Sequence, residues 1–161
     1  MTAPILEARG LKAFYGAVQV IYGVDFAVDE GGVTALLGAN GAGKTTILRA
    51  LSAMIRRRGQ ISFRGAPMVA RALVMEPKLI LLDEPAAGLN HEEVEDLGAE
   101  IKSIRDRRGV SVLLVEHHMN LVMRVSDHVV ALDFGRRIAE GPPEAVRANP
   151  EVIRAYLGSA A

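Results

Sequence analysis

Residues 38–46, Gly-Ala-Asn-Gly-Ala-Gly-Lys-Thr-Thr, combine three glycines with a lysine and a following threonine at characteristic positions. A glycine, four free positions, a second glycine, a lysine and a hydroxyl residue are typical of a loop that wraps around phosphate groups. Its glycines let backbone N–H groups point at phosphate oxygens, and Lys44 brings positive charge to the β- and γ-phosphates. The sequence therefore predicts a nucleotide-binding loop, made of Gly38, Ala39, Asn40, Gly41, Ala42, Gly43, Lys44, Thr45 and Thr46.

The residues on either side of this loop favour the same interpretation. Residues 33–37 are a short apolar run that predicts a buried strand, and apolar residues at helical spacing follow the loop up to Ile55. A helix that begins at the loop aims the positive end of its dipole at a bound anion. The alternative is an ordinary glycine-rich turn that happens to contain a lysine.

Two carboxylates follow a second apolar run, residues 79–82. Asp83 ends this predicted buried strand, where an unpaired carboxylate is costly. A Mg²⁺ ion shared by Asp83 and Thr45 would relieve that cost and neutralise phosphate charge. Glu84 is placed to orient or deprotonate an attacking water molecule. A solvated junction between strand and loop is the plainer alternative for both carboxylates.

Two further residues are candidates for the same site. His117 follows a third apolar run, residues 110–115, and is placed to contact a γ-phosphate or hold the attacking water. A lone histidine is more often structural or exposed. Tyr15, in the corner Phe14-Tyr15-Gly16, offers an aromatic face on which a base can stack. Core packing or a turn is the default interpretation of such a tyrosine.

The elements that position these residues alternate between strand and helix patterns. Apolar residues alternate from Val18 to Val28, the period of a half-buried strand. Asn90 and Glu93 predict a capped helix that ends at Gly109. Uniformly apolar strands between helices predict an α/β fold with a mainly parallel sheet covered on both faces. Because ligands lie at the carboxyl ends of such strands, we expect the candidate residues to converge there.

Other segments carry predictions of structure alone. The run Arg56-Arg57-Arg58-Gly59 is interpreted as the end of the first helix, whose dipole it complements, and residues 60–63 as a strand. Residues 129–132 and 137–139 predict a hairpin. The tail from Pro142 to Leu157 predicts helix, interrupted at Asn149-Pro150.

The composition limits the classes of protein to which the chain can belong. Its 161 residues are 50% hydrophobic and 24% charged, which favours one globular domain. Nineteen basic and nineteen acidic residues cancel, so no general attraction to nucleic acid or anionic lipid is expected. The absence of cysteine suits a reducing cytosol. Apolar runs are shorter than a membrane span and no signal peptide is recognised, so we expect any link to a membrane to come through a partner.

Taken together, these residues resemble an ATP-binding subunit of an ABC transporter. The matching segments are residues 14–16, 35–46, 79–90, 115–119 and 151–158, and the last two, with residues 85–90, are most similar to the branched-chain amino acid uptake group. The resemblance implies ATP and Mg²⁺ as ligands, with Walker A and Walker B motifs in the second and third segments. It implies that Tyr15 contacts adenine, that Asp83 and Thr45 bind Mg²⁺, that Glu84 is the catalytic base and that His117 is the switch histidine.

The resemblance also implies partners and a location. Residues 88–90 would belong to a loop that meets a second nucleotide-binding subunit, and integral membrane permease subunits would complete the transporter. We therefore expect a P-loop NTPase core with an N-terminal antiparallel β portion, peripheral at the cytoplasmic face of the plasma (inner) membrane. ATP hydrolysis would energise the import of branched-chain amino acids. Neither nucleic-acid binding nor direct membrane insertion is expected.

One departure from the family pattern lies between residues 65 and 73. In the family, several dozen residues separate a strand like residues 60–63 from the helix before the Walker B strand. Here residues 65–67 run directly into residues 68–73, which resemble the end of that helix. The segment not present would hold the Q-loop glutamine, the helical subdomain and the Leu-Ser-Gly-Gly-Gln signature, and no Ser-Gly-Gly occurs in the chain.

We therefore expect a shortened single domain over residues 1–161, with a deletion junction near residues 65–70. Because both ends resemble those of the family, the deletion is expected to be internal. The strand at residues 79–82 is then expected to lie at a newly exposed edge of the sheet.

Three functional hypotheses follow. The chain is an ATP-hydrolysing transporter subunit, or a Mg-ATP-binding remnant with little or no turnover, or a non-functional deletion product. A nucleic-acid motor of the same superfamily is disfavoured by the zero net charge.

Overall fold

The computed structural model describes residues 3–67 and 78–157. The strands are β1 (Pro4–Tyr15), β2 (Val18–Asp29), β3 (Val33–Leu37), β4 (Arg56–Phe63), β5 (Ala66–Pro67), β6 (Leu79–Asp83), β7 (Ser111–Glu116), β8 (His128–Asp133) and β9 (Arg136–Gly141). The helices are α1 (Lys44–Leu51), α2 (His91–Arg108), α3 (Met119–Val125), α4 (Pro143–Arg147) and α5 (Pro150–Leu157). Residues 68–73, which resemble the end of a family helix, lie outside the described residues.

The strands form two sheets. The antiparallel sheet has the order β2-β1-β4-β5, and the second sheet has the order β6-β7-β3-β8-β9. In the second sheet the pairs β6–β7, β7–β3 and β3–β8 are parallel, and only the β8–β9 hairpin within it is antiparallel. The predicted α/β fold with an N-terminal antiparallel portion is confirmed.

The mainly parallel sheet is buried on both faces at its centre. Every residue of β3 and of β7 is buried, because helices and the antiparallel sheet cover the two faces. Along β3, Leu36 packs toward α1 and the antiparallel sheet, whereas Val33, Ala35 and Leu37 pack toward α2, α3 and the C-terminal helices. This central position fixes the carboxyl ends of β3 and β7, where the candidate residues lie.

The strand that ends at Asp83 is at an edge of this sheet. β6 pairs with β7 on one side and stands first in the strand order. Its residues Leu79 to Leu82 are half-buried, unlike those of β3 and β7. The prediction that the sheet persists with this strand at its edge is confirmed for the described residues.

The predicted end of the first helix is wrong. α1 stops at Leu51 instead of continuing to Gly59, Ala53 follows with a left-handed φ of 55°, and Arg56 to Gly59 belong to β4. Arg57 of β4 donates to the carbonyl oxygens of Ala50 and Leu51 at 2.7 and 3.0 Å. A cation does complement the end of α1, but it comes from a neighbouring strand.

Several local predictions are confirmed. Asn90 and Glu93 form a capping box, with reciprocal hydrogen bonds of 3.0 and 2.8 Å, and α2 ends at Gly109 with a φ of 59°. The β8–β9 hairpin and the interrupted C-terminal helix are both present. Within residues 3–67 and 78–157, none of the helices is long and apolar enough to cross a membrane.

Candidate nucleotide-binding site

The glycine-rich loop joins the end of β3 to the start of α1. Gly41 and Gly43 have φ values of 83° and 102°, in the left-handed region that favours glycine. A Cβ at Gly43 would lie 2.6 Å from the Cδ1 atom of Ile21, so a side chain there would also displace Ile21 of the neighbouring strand. Gly43 is the N-cap residue of α1 and makes no side-chain cap. The first N–H groups of this helix therefore remain without intrahelical partners and are suited to an anion.

The Lys44 side chain lies beneath the loop. It is 4% exposed, and its Nζ atom donates to the carbonyl oxygens of Gly38 and Ala39 at 2.7 and 3.1 Å. Nζ also lies 3.3 Å from Oε1 of Glu84. The positive charge is thus held under the loop and next to the predicted catalytic carboxylate. A phosphate that enters the loop would compete for the same ammonium group.

Thr45 and Asp83 meet across the ends of α1 and β6. The Thr45 hydroxyl donates to Oδ1 of Asp83 at 3.1 Å. The sequence-based premise that Asp83 is a buried carboxylate is wrong, because it is exposed. The reason is that β6 is an edge strand and Asp83 is its last residue. Burial therefore does not require a cation at this carboxylate.

The Thr45–Asp83 pair nevertheless fits Mg²⁺. A hydroxyl and a carboxylate oxygen 3.1 Å apart can occupy neighbouring positions around one ion, and Mg²⁺ typically takes one or two protein oxygens plus phosphates and water. Among the residues that the structure describes, no group of three His, Cys, Asp or Glu side chains is arranged to hold a metal alone. The donor set suits an ion that arrives with a nucleotide.

Glu84 has a strained backbone. Its φ is 46°, an uncommon value for a residue with a side chain. The conformation is held from β7, because the Glu84 N–H donates to the Val115 carbonyl at 2.8 Å. The turn continues with a hydrogen bond of 3.0 Å from Ala87 N–H to the Glu84 carbonyl. Such strain is common at functional sites, and here it turns the carboxylate toward Lys44.

His117 completes the group at the carboxyl end of β7. Its Nδ1 atom is 3.6 Å from Oε1 of Glu84 and 3.8 Å from Oε2 of Glu116. Nδ1 is buried, and in the described part of the chain it makes no hydrogen bond. The structure therefore brings together Lys44, Thr45, Asp83, Glu84 and His117, as the strand-end argument predicts.

Sequence reasoning missed Glu116. This carboxylate is 0% exposed. Its Oε1 accepts from the N–H of Ala86 at 3.0 Å, and its Oε2 accepts from the N–H groups of His117 and His118 at 2.9 and 3.1 Å. The available signal was an acidic residue at the end of an otherwise apolar strand. A buried charge of this kind requires compensation by hydrogen bonds.

Tyr15 lies at the end of β1, beside α1. Its hydroxyl oxygen accepts a hydrogen bond from the Arg49 guanidinium at 3.0 Å, and its side chain is 39% exposed. A hydrogen bond with the Thr46 side chain, assisted by Arg49 and opposed by partial burial, lowers the pKa of Tyr15. Arg49 is a second residue that sequence reasoning missed. The Tyr15 ring is thus tied to the helix that follows the phosphate loop, and its contact with adenine remains a prediction.

The lowered pKa gives a testable expectation. Tyr15 should lose its proton at lower pH than an ordinary tyrosine, whereas burial raises the pKa of Tyr156 well above the usual range. In an alkaline titration followed by tyrosinate absorbance, Tyr15→Phe should remove the component that ionises early. Arg49→Ala should move this component to higher pH, because the cation that favours the phenolate is removed.

The control for this titration is Arg107→Ala, which changes an exposed arginine near the end of α2. It should leave the early component in place. An early component that persists in Tyr15→Phe would contradict the assignment to this residue.

Two family models match parts of the chain. The model described as "ABC transporter" matches residues 21–70, which contain the phosphate loop. The model described as "Branched-chain amino acid ATP-binding cassette transporter" matches residues 136–161, which contain β9, α4 and α5.

Three relatives are similar to the chain. The high-affinity branched-chain amino acid transport ATP-binding protein BraF of Pseudomonas aeruginosa is 29% identical, over 99% of this chain and 100% of BraF. That alignment spans 255 positions although the chain has 161 residues, so BraF has residues where this chain has none. The high-affinity branched-chain amino acid transport ATP-binding protein LivG of Escherichia coli is 47% identical, over 57% of this chain and 36% of LivG. In this match the chain spans about a third of the length of LivG. The zinc import ATP-binding protein ZnuC of Alkalilimnicola ehrlichii is 33% identical, over 96% of this chain and 84% of ZnuC.

The fold is similar to that of a solved ATP-binding cassette. The crystal structure of the ADP conformation of MJ1267, an ATP-binding cassette of an ABC transporter, superposes with a TM-score of 0.86 at 18% identity, and the match covers 98% of this chain and 100% of that one. Given the ZnuC match along most of both proteins, the chain belongs to the ATP-binding proteins of ABC transporters.

Proposed function

We propose that the chain binds Mg-ATP in the phosphate loop and hydrolyses it slowly through Glu84. The observation that carries the proposal is the meeting of three strand ends. Lys44 lies 3.3 Å from Glu84, Thr45 lies 3.1 Å from Asp83, and His117 lies 3.6 Å from Glu84. A cation, a pair of oxygen atoms suited to Mg²⁺ and the proposed general base thus lie near one another at the end of the loop.

Each of these residues has a proposed role. The loop N–H groups and Lys44 bind the phosphates, and Tyr15 stacks on the adenine. Mg²⁺, when bound by Thr45 and Asp83, neutralises charge on the phosphate oxygens. Glu84 accepts a proton from a water molecule whose oxygen bonds to the γ-phosphorus while the bond to the ADP oxygen breaks. His117 holds the water or the γ-phosphate in place.

The proposal extends to the substrate that the transporter imports. The match of residues 136–161 and the names of BraF and LivG support branched-chain amino acid import as the lineage. ZnuC is named for zinc import, so the relatives do not share one substrate. We infer that a membrane permease partner determines the substrate and that this chain acts at the cytoplasmic face of the membrane beside a second nucleotide-binding subunit.

A second candidate is a Mg-ATP-binding remnant with little or no turnover. The specific observation in its favour is that no Ser-Gly-Gly occurs in the chain. We propose that the chain is a single shortened domain whose deletion, near residues 65–70, removed the signature and the Q-loop. The γ-phosphate then loses the donors that a signature would contribute to the transition state.

Release of inorganic phosphate from Mg-ATP by the purified chain separates the two candidates. We expect turnover below about 1 s⁻¹, the lower end of ordinary enzyme rates, and we expect it to stop when Mg²⁺ is chelated. Binding of ATP without any release of phosphate would favour the remnant. A chain that cannot be obtained as a folded, soluble species would favour the third hypothesis, a non-functional deletion product.

A further inference from the structure

Glu116 lies between the two loops that carry the predicted catalytic side chains. It is the last residue of β7, and its carboxylate is 0% exposed. Buried carboxylates are rare unless their oxygens are satisfied. Here the oxygens are satisfied by three backbone N–H groups rather than by an arginine or lysine. The arrangement fixes backbone positions on both loops.

The two oxygens of this carboxylate hold different loops. Oε1 accepts from Ala86 at 3.0 Å, in the turn that follows β6. Oε2 accepts from His117 and His118 at 2.9 and 3.1 Å, at the end of β7. A single rigid side chain therefore links the loop of Glu84 to the loop of His117.

The link to Ala86 bears directly on Glu84, two residues earlier. The Glu84 backbone has a strained φ of 46°, and such a conformation persists only when its surroundings hold it. One restraint precedes the strained residue, where the Glu84 N–H donates to the Val115 carbonyl. The other follows it, where the Ala86 N–H donates to Glu116. Both restraints come from the end of β7.

We propose that Glu116 is a positioning residue that sets the distance between Glu84 and His117 for ATP hydrolysis. The proposal rests on the function proposed above. Glu116 does not contact the substrate; it acts through the backbone of the two loops. Its removal should lower the rate of the chemical step and leave nucleotide binding by the phosphate loop unchanged, because no loop residue from Gly38 to Thr46 bonds to it in the described structure.

The first test is Glu116→Gln. The amide has one oxygen, so it can accept from Ala86 or from the His117 and His118 pair but not from both, and its NH₂ group then faces an N–H donor. We expect kcat of the folded protein to fall about tenfold or more while KM for ATP stays within about twofold. Amide hydrogen exchange at Ala86, His117 or His118 should become about tenfold faster. If Glu116 has only a structural role, Glu116→Gln would lower the free energy of unfolding and leave kcat of the folded fraction unchanged.

Glu116→Asp is the second variant, and it keeps the charge. Its carboxylate is shorter by one methylene, so it can still reach its chain neighbours His117 and His118 but no longer reaches Ala86. Exchange should become faster at Ala86 alone, and kcat should lie between those of the parent and Glu116→Gln. This variant decides the question if Glu116→Gln does not fold.

The matched control is Glu30→Gln, at an exposed glutamate that pairs with Arg64. It should leave kcat and the exchange rates at the parent's values. Unchanged exchange at all three amides, or unchanged kcat despite faster exchange, would overturn the proposal. If the parent itself does not hydrolyse ATP, the proposed function fails, and the exchange pattern alone then supports or overturns the role of Glu116 in holding the two loops.

Discussion

Lys44→Ala is expected to lower the affinity for Mg-ATP about 100-fold or more. Lys44 supplies a cation to the phosphate loop, and the residue is 4% exposed. Each charge-assisted hydrogen bond contributes roughly 1.5–3 kcal/mol, and loss of two such bonds to phosphate oxygens corresponds to about two to four orders of magnitude in affinity. Calorimetric titration of ATP in the presence of Mg²⁺ measures this change.

Lys44→Ala also removes the donor from two loop carbonyls, those of Gly38 and Ala39. We expect the free energy of unfolding to fall by about 3 kcal/mol, since both bonds involve a charged donor, so urea denaturation must show that the variant is folded at the titration temperature. Lys102→Ala on α2 is the control and should bind ATP as the parent does. If the Lys44→Ala variant is folded and binds ATP with the parent's affinity, Lys44 is not a phosphate ligand.

Glu84→Gln is expected to reduce ATP turnover about 100-fold or more, which lies within the contribution of a general base. The amide is nearly the same size as the carboxylate but cannot accept a proton. Steady-state release of phosphate measures the effect. ATP affinity should be equal to or higher than that of the parent, because the substitution removes a negative charge 3.3 Å from the Lys44 ammonium.

Glu92→Gln, an exposed glutamate in the first turn of α2, is the control for this measurement and should turn over ATP at the parent rate. Equal turnover by the parent and Glu84→Gln would show that another group activates the water. If neither shows turnover although both bind ATP, the chain is a nucleotide-binding remnant and its membership of the transporter family describes its ancestry.

The central strand, loop and helix could be predicted from the sequence because their signals are local. The phosphate loop, the apolar runs of β3 and β7 and the Asn90–Glu93 capping box each depend on residues a few positions apart. The convergence of Thr45, Asp83 and His117 also followed, because parallel strands end at one edge of the sheet.

The features that were missed depend on contacts between distant parts of the chain. α1 ends at Leu51 because the chain turns at Ala53, and the cation at its end comes from Arg57 of the next strand. Asp83 is exposed because β6 lies at the edge of its sheet, which depends on the strand order and not on the strand's own apolar residues.

The hydrogen bonds of Glu116 were missed for the same reason. Glu116 and Ala86 are thirty residues apart in the chain, and only the pairing of β6 with β7 makes them neighbours. Arg49 and Tyr15, thirty-four residues apart, meet in the same way across α1 and the end of β1. Spacing along the sequence contains no information about such contacts.

An ATP titration followed by amide NMR spectra of the whole chain in the presence of Mg²⁺ would locate the bound nucleotide. We expect the resonances of Gly38 to Thr46 to shift most, with smaller shifts at Asp83, Glu84 and His117, and we expect Lys44→Ala to lose these shifts at the same ATP concentrations. Absence of shifts, or shifts confined to the antiparallel sheet away from the loop, would show that ATP does not bind where these strand ends meet.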